Sequence, residues 1–127
     1  MSHPTSNIIQ EKTFKFSLMI IEYTEHLRRK DHREMASQLF RSGTGIGANV
    51  CEAQNAESPA DFVHKFKIAA KEAEETEYWL RLCLESGHYP KPEEGINSEI
   101  RQICRLINRI IGSSKRRMHF KNNHNRD

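Results

Sequence analysis

Residues 37–87 read SQLFRSGTGIGANVCEAQNAESPADFVHKFKIAAKEAEETEYWLRLCLESG, two long helical stretches joined by one short break. The second stretch is the more regular. Ser58 is suited to cap the free N–H groups of a first turn. Pro59 follows at the first helical position, where a missing N–H costs nothing. Asp61 sets a negative charge against the positive end of the helix dipole. Phe62, Phe66, Ala69, Ala73, Thr76, Leu80 and Cys83 then recur at spacings of four and three, flanked by Val63, Ala70, Trp79 and Leu84. That spacing makes one apolar seam along a helix. Lys65, Lys67, Lys71, Glu72, Glu74 and Glu75 fill the other face, with Lys71–Glu75 at ion-pair spacing. Gly87, Pro90 and Pro92 stop the helix, which is then roughly 40 Å long.

The first stretch keeps the helical period through Met35, Ala36, Leu39, Phe40, Ile46, Val50 and Ala53, although Gly43, Gly45 and Gly47 interrupt it. Each glycine costs about 1 kcal/mol relative to alanine inside a helix. A bare face of Ser42, Gly43, Gly47 and Ala48 would offset that cost by letting another backbone approach closely. A phosphate-cradling Gly-x-Gly-x-Gly loop needs a preceding strand, and amphipathic helix precedes these glycines. The spacing therefore predicts a packing surface.

The blocks RSGTGIGANVCEA, SPADF and KEAEETEYWL, within residues 35–87, resemble the four-helix-bundle family of proteins encoded in intervening sequences of bacterial 23S rRNA genes. The fold is also similar to that of the accessory variability proteins of diversity-generating retroelements, basic homopentamers that bind a reverse transcriptase and nucleic acid. The resemblance implies an all-α protomer, a homopentamer, and RNA, DNA or a nucleic-acid enzyme as partners. For most members of the family it implies no known activity.

A chain of 127 residues makes one domain, burying about two-thirds of its unfolded surface. With 36% hydrophobic and 29% charged residues, it suits thin amphipathic helices. The formal charge of +3, with seven histidines uncounted, is mildly basic. No apolar run is long enough to span a membrane, and the N-terminus lacks the layout of a signal peptide. The expected location is the cytoplasm. Cys51, Cys83 and Cys104 are odd in number and widely spaced, and are expected to be three small buried hydrophobes in a reducing compartment.

Along the chain, residues 1–7 are expected to be a flexible tail. A first helix over about 8–30 carries Phe16, Ile20, Tyr23 and Leu27 on one stripe, with Phe14, Leu18 and Ile21 beside it. That apolar arc is wider than one neighbour requires, which calls for two neighbouring helices or a second subunit. Helices over about 34–57 and 59–87 follow. After a connector rich in proline, Asn97 or Ser98 caps a fourth helix over about 97–112, with Ile96, Ile100, Ile103, Ile107 and Ile110 on its seam. Gly112 and Ser113 read as its stop. The bundle is expected over 8–118 and a basic polar tail over 119–127. Short links between four helices give an antiparallel up-down-up-down arrangement.

The strongest functional signal is on the fourth helix. Arg101, Arg105 and Arg109 share one face, extended by Lys115, Arg116 and Arg117. Between Ser98 and Lys121 there are seven Lys/Arg and a single acid, Glu99. Cations about 6 Å apart along a helix suit phosphates without reading bases. Arg41 is a further candidate, with pairing to an acid as its alternative role. Glu52, Glu72 and Glu75 suggest a di-metal bundle, yet the inward Glu-x-x-His pairs such chemistry uses are missing from the core faces. No serine or cysteine sits in a recognisable triad frame. Tyr78 and Trp79 flank the seam, as aromatics do at a subunit interface or a shielded flank. The reading is a non-enzymatic oligomeric scaffold without a cofactor, binding RNA or DNA. The alternatives are a protein-interaction module that docks an enzyme such as a reverse transcriptase, and a metal-dependent bundle enzyme.

Overall fold

The computed structural model of the protein describes the backbone of residues 4–124 and the side chains of residues 7–121. Among these residues there are four helices and no strand: α1 (Pro4–Arg29), α2 (Arg33–Ala53), α3 (Pro59–Glu85) and α4 (Glu94–His124). Helix α1 packs closely against α2 and α4, and α3 packs against the same two; across the core, α1 meets α3 through side chains, as where Tyr23 lies against Cys83. One core runs down the middle, built on Phe16, Ile20, Leu27, Leu39, Ile46, Val50, Phe66, Leu80, Ile103 and Ile107.

The helix ends have local causes. The chain turns from α1 to α2 through Asp31, whose φ of 66° lies in the left-handed region that Asp tolerates; the N–H of His32 then reaches back to the carbonyl of Leu27 at 2.9 Å. The hydroxyl of Ser58 accepts from the Asp61 N–H at 3.1 Å, and the Asp61 carboxylate accepts from the Glu57 N–H at 3.2 Å, a reciprocal cap. Helix α3 closes on Gly87 with φ +75°. Tyr23, buried on α1, donates its hydroxyl to the carbonyl of Pro90 at 2.6 Å, tying α1 to the α3–α4 connector; burial raises its pKa well above the usual phenol value.

Two helices are longer than the sequence suggests. Helix α1 begins at Pro4 inside the expected tail, since proline is at ease in a first turn. Helix α4 starts at Glu94, before Asn97 and Ser98, and passes through Gly112 and Ser113 to His124. A glycine costs a helix about 1 kcal/mol, which is not a stop when no proline follows. Ser114 stays buried beyond it. The remaining parts of the two expected tails, residues 1–3 and 125–127, lie outside the described residues.

The glycines of α2 are a packing surface within a continuous helix. A Cβ on Gly43 would lie 2.8 Å from Cγ1 of the fully buried Ile20, and one on Gly47 would lie 3.4 Å from the Thr13 carbonyl oxygen. Ser42 and Ala48 do not belong to that face. Ser42 points to α3, its hydroxyl 2.9 Å from that of Thr76, while Ala48 is exposed. Thr76 also donates to the Glu72 carbonyl at 2.7 Å, so Ser42 supplies the proton between the two hydroxyls. The Gly43→Ala change is expected to destabilise the protein by about 1–3 kcal/mol, overpacking outweighing the propensity gain. Gly47→Ala, with no such clash, is expected to be neutral or slightly stabilising. Urea unfolding monitored by circular dichroism compares them, and equal effects at both positions would refute the close approach at Gly43.

Candidate nucleic-acid interface

Helix α4 presents the charges. Each step of four residues rises about 6 Å and turns about 40°, so Arg101, Arg105 and Arg109 wind slowly along one outer face. Arg116 returns to that face one turn past Gly112. Arg101, Arg105, Arg109, Lys115, Arg116 and Arg117 are all exposed. They do not form one row. Lys115 faces the α3 side and lies against Lys67, and Arg117 is set about 100° round the helix from Arg116.

Their environment differs from that of seven cations elsewhere in the chain. Lys12 pairs with Glu99 at 2.7 Å, Lys65 with Glu52 at 3.3 Å and Arg81 with Glu85 at 2.7 Å. Lys15, Arg29, Arg33 and Arg41 have carboxylate partners as well. None of the α4 cations pairs with a carboxylate among the described residues. The acid nearest in sequence, Glu99, is already taken by Lys12 on α1. Glu74 and Glu77 of α3 lie on the side of Cys104, and burial, followed by those two charges, pushes its thiol up to about 11. The stripe is therefore flanked by acids in its first half. From Asn108 to Lys121 there are five Lys/Arg and no acid.

Sequence reasoning missed two residues. Lys67 reads as part of a solvated helix face, yet it lies beside Lys115, whose approach lowers its pKa. Phe120 falls in the expected tail, but α4 carries it beside Lys115, Arg116 and His119 around a shallow cavity of about 440 Å³. Recognising that α4 continues past Gly112 would have put all four on one helix.

Other expected features fall elsewhere. Cys83 is buried and Cys104 half-buried, but Cys51 is exposed, so it is not part of the core. Burial raises the Cys83 thiol, which keeps it in the inert protonated form. Among the described residues, no group of three or more His, Cys, Asp or Glu side chains is arranged to hold a metal ion. No described helix is long and apolar enough to cross a membrane.

Comparison with known proteins agrees with this architecture. Residues 5–109 match the family model described as 23S rRNA-intervening sequence protein. The chain belongs to that family. A crystal structure of a protein of unknown function from the S23 ribosomal protein family of Bacteroides thetaiotaomicron is similar, at 38% identity and a TM-score of 0.79, covering 85% of this chain and 98% of that one. No curated protein matches.

In this 23S rRNA-intervening sequence protein, Arg41 stands apart from the α4 stripe. It projects from α2 into the α2–α3 groove, donates to Glu75 and to Gln38 (3.1 Å), and approaches Glu72 at 3.9 Å. Glu75 also accepts from the indole N–H of Trp79 at 3.3 Å. With Glu75 so engaged, the expected Lys71–Glu75 pair is not among the ion pairs formed. Glu72 faces Gly45, one carboxylate oxygen buried without a hydrogen-bond partner. Desolvation, reinforced by Glu75 and opposed by Arg41, raises its pKa above the ordinary 4.5. A carboxyl with a raised folded-state pKa stabilises the fold only while protonated, and that contribution is lost as pH rises through the folded value. Glu72→Gln is therefore expected to raise stability at neutral pH by up to about 1 kcal/mol, with the difference from wild type shrinking towards pH 4.5. Thermal melts at both pH values check this; a variant less stable at neutral pH would show that the Arg41 contact outweighs desolvation.

Proposed function

We propose that this protein is a non-enzymatic, oligomeric accessory scaffold that binds RNA or DNA through the outer face of α4. The observation that carries the reading is the contrast in pairing. Elsewhere Lys12, Lys15, Arg29, Arg33, Arg41, Lys65 and Arg81 have carboxylate partners, and the cations without one are scattered among them, whereas on α4 Arg101, Arg105, Arg109, Lys115, Arg116 and Arg117 all lack one among the described residues. Unneutralised cations repeated along a rigid rod suit a polyanion, and their contribution falls as salt rises. The fold has few features that would read base identity, so the binding is sequence-tolerant. A cytoplasmic location follows from that role.

We also propose the up-down-up-down antiparallel order and a closed ring of five copies. The order is supported by contacts whose positions rise on one helix as they fall on the next. Tyr23 meets Pro90 just before α4, and Met19 faces Gly95 and Lys12 meets Glu99 between α1 and α4. Ser42 meets Thr76 and Glu52 meets Lys65 between α2 and α3. Self-association is supported by Phe14, Leu18 and Ile21 on α1, which are 64%, 50% and 41% exposed, and by Phe40 on α2. Such a stripe suits an interface. The same stripe also suits a nucleic-acid enzyme, such as a reverse transcriptase, as the occupant; that reading predicts a monomer in solution.

Two measurements test the proposal. Changing Arg101, Arg105 and Arg109 together to Ala should weaken binding of labelled structured RNA. It should also reduce the slope of log affinity against log salt by roughly 2 to 3. No binding by the unaltered protein at low salt would refute nucleic-acid binding. Leu18→Glu should lower the oligomer mass seen by light scattering while leaving helicity intact. An unchanged mass would remove α1 from the interface.

A further inference from the structure

The C-terminal half of α4 differs from the row of arginines before it. Lys115, Arg116, His119 and Phe120 line one shallow cavity of about 440 Å³. On an α-helix these four positions span an arc of about 140°, so they make a single face. Lys67 of α3 lies beside Lys115 at the edge of this face, close enough for their side chains to interact. Two exposed ammonium groups held that close repel each other, and an anion between them turns the repulsion into attraction. Arg116 lines the same cavity. Its Nη1 lies 3.4 Å from where a Cβ on Gly112 would sit, so the guanidinium rests over the bare backbone one turn earlier. Gly112 is thus the seat of Arg116 rather than the end of the helix.

Phe120 adds a feature that phosphate binding alone does not need. Its ring is 63% exposed beside these cations. An exposed aromatic next to a cationic cluster is how proteins hold an unpaired base while neutralising its phosphate. Bases in a duplex are stacked on one another and cannot reach such a ring. An acidic peptide would satisfy the cations and leave the ring unused.

We propose that this cluster is a single-strand subsite: Lys67, Lys115 and Arg116 hold a backbone phosphate, and Phe120 stacks the adjoining base. The inference rests on the nucleic-acid reading above and specifies its substrate as single-stranded RNA or DNA. The helix supplies the geometry, with the ring one turn from the guanidinium. His119, one turn beyond Lys115, completes the wall and adds positive charge when protonated.

The test uses the full chain, a labelled short oligouridylate and a hairpin duplex of mixed sequence, read by fluorescence anisotropy at low salt. The unaltered protein should favour the single strand. Phe120→Ala should weaken single-strand binding roughly tenfold and leave hairpin binding unchanged, while Phe120→Tyr should retain it. Lys115→Gln and Lys67→Gln should weaken both ligands. If Phe120→Ala binds the single strand as tightly as wild type while the triple arginine variant loses affinity, the subsite is wrong and the α4 stripe stands. If the unaltered protein binds neither probe, both fail. Displacement of the oligouridylate by polyglutamate as readily as by unlabelled oligouridylate would overturn the base-stacking role. Circular dichroism of each variant confirms that the helices are intact.

Discussion

The approach of α1 to α2 at Gly43 and Gly47 is the constraint on which the rest of the structure depends. Ile20 occupies the space a side chain on Gly43 would need, and the Thr13 carbonyl stands over Gly47. Two glycines weaken α2 as an isolated helix by about 2 kcal/mol. The compensation is burial: Ile20, Phe16 and Leu27 are fully enclosed because α2 lies so close. The buried hydroxyls of Thr13 and Thr24 are satisfied by carbonyls of their own helix, at 2.8 and 3.1 Å. Phe14, Leu18 and Ile21, the same residue types on the opposite face of α1, stay on the outside.

The distribution of charge follows from the same geometry. The α2–α3 groove is polar and internally neutralised, with Arg41 between Glu72 and Glu75 and Lys65 on Glu52. The α1–α4 groove is neutralised by Lys12 on Glu99. Only the outer face of α4 is left with one sign of charge, and it becomes more uniform towards its C-terminal end. A net charge of +3 understates this, because the acids are concentrated on the other helices. Composition averages over a surface; binding depends on which face keeps its charges unpaired.

Most of the fold is legible in the sequence because amphipathic period, caps and glycine placement all agree. The apolar positions of α3 at spacings of four and three are buried in the structure, from Phe66 to Cys83, with Val63 taking the place of Phe62 at the first turn. Ser58 caps as its side chain suggests. What was not legible depends on neighbours. Gly112 has the local signature of a stop, yet its cost of about 1 kcal/mol is small with no proline behind it, and the helix runs on until Arg116 lies over it. Ser42 and Gly43 are adjacent small residues, but a turn of about 100° sends one to α3 and the other to α1. Cys51 looks like a core residue by type, and its exposure follows from lying on the outer side of α2. The candidate site was half legible: the arginine spacing was in the sequence, while Lys67 and Phe120 required knowing how far α4 runs and what lies beside it.

The order of neighbours gives the two exposed features of the protein different directions. With the backbones of α1 and α3 each close only to α2 and α4, the outer surface of α1 and α2 lies across the core from that of α3 and α4. The apolar residues Phe14, Leu18, Ile21 and Phe40 belong to the first surface, reinforced where the Arg28 guanidinium lies 5.4 Å from the Phe40 ring centre. The α4 row of cations without carboxylate partners belongs to the second. On the proposed reading, copies joined through the apolar surface keep their α4 faces open, and weak contacts to one strand add up across the assembly. A single protomer, with a few phosphate contacts and one aromatic ring, would bind weakly. On that reading, function at this modest net charge requires both surfaces, one to assemble copies and the other to hold the strand.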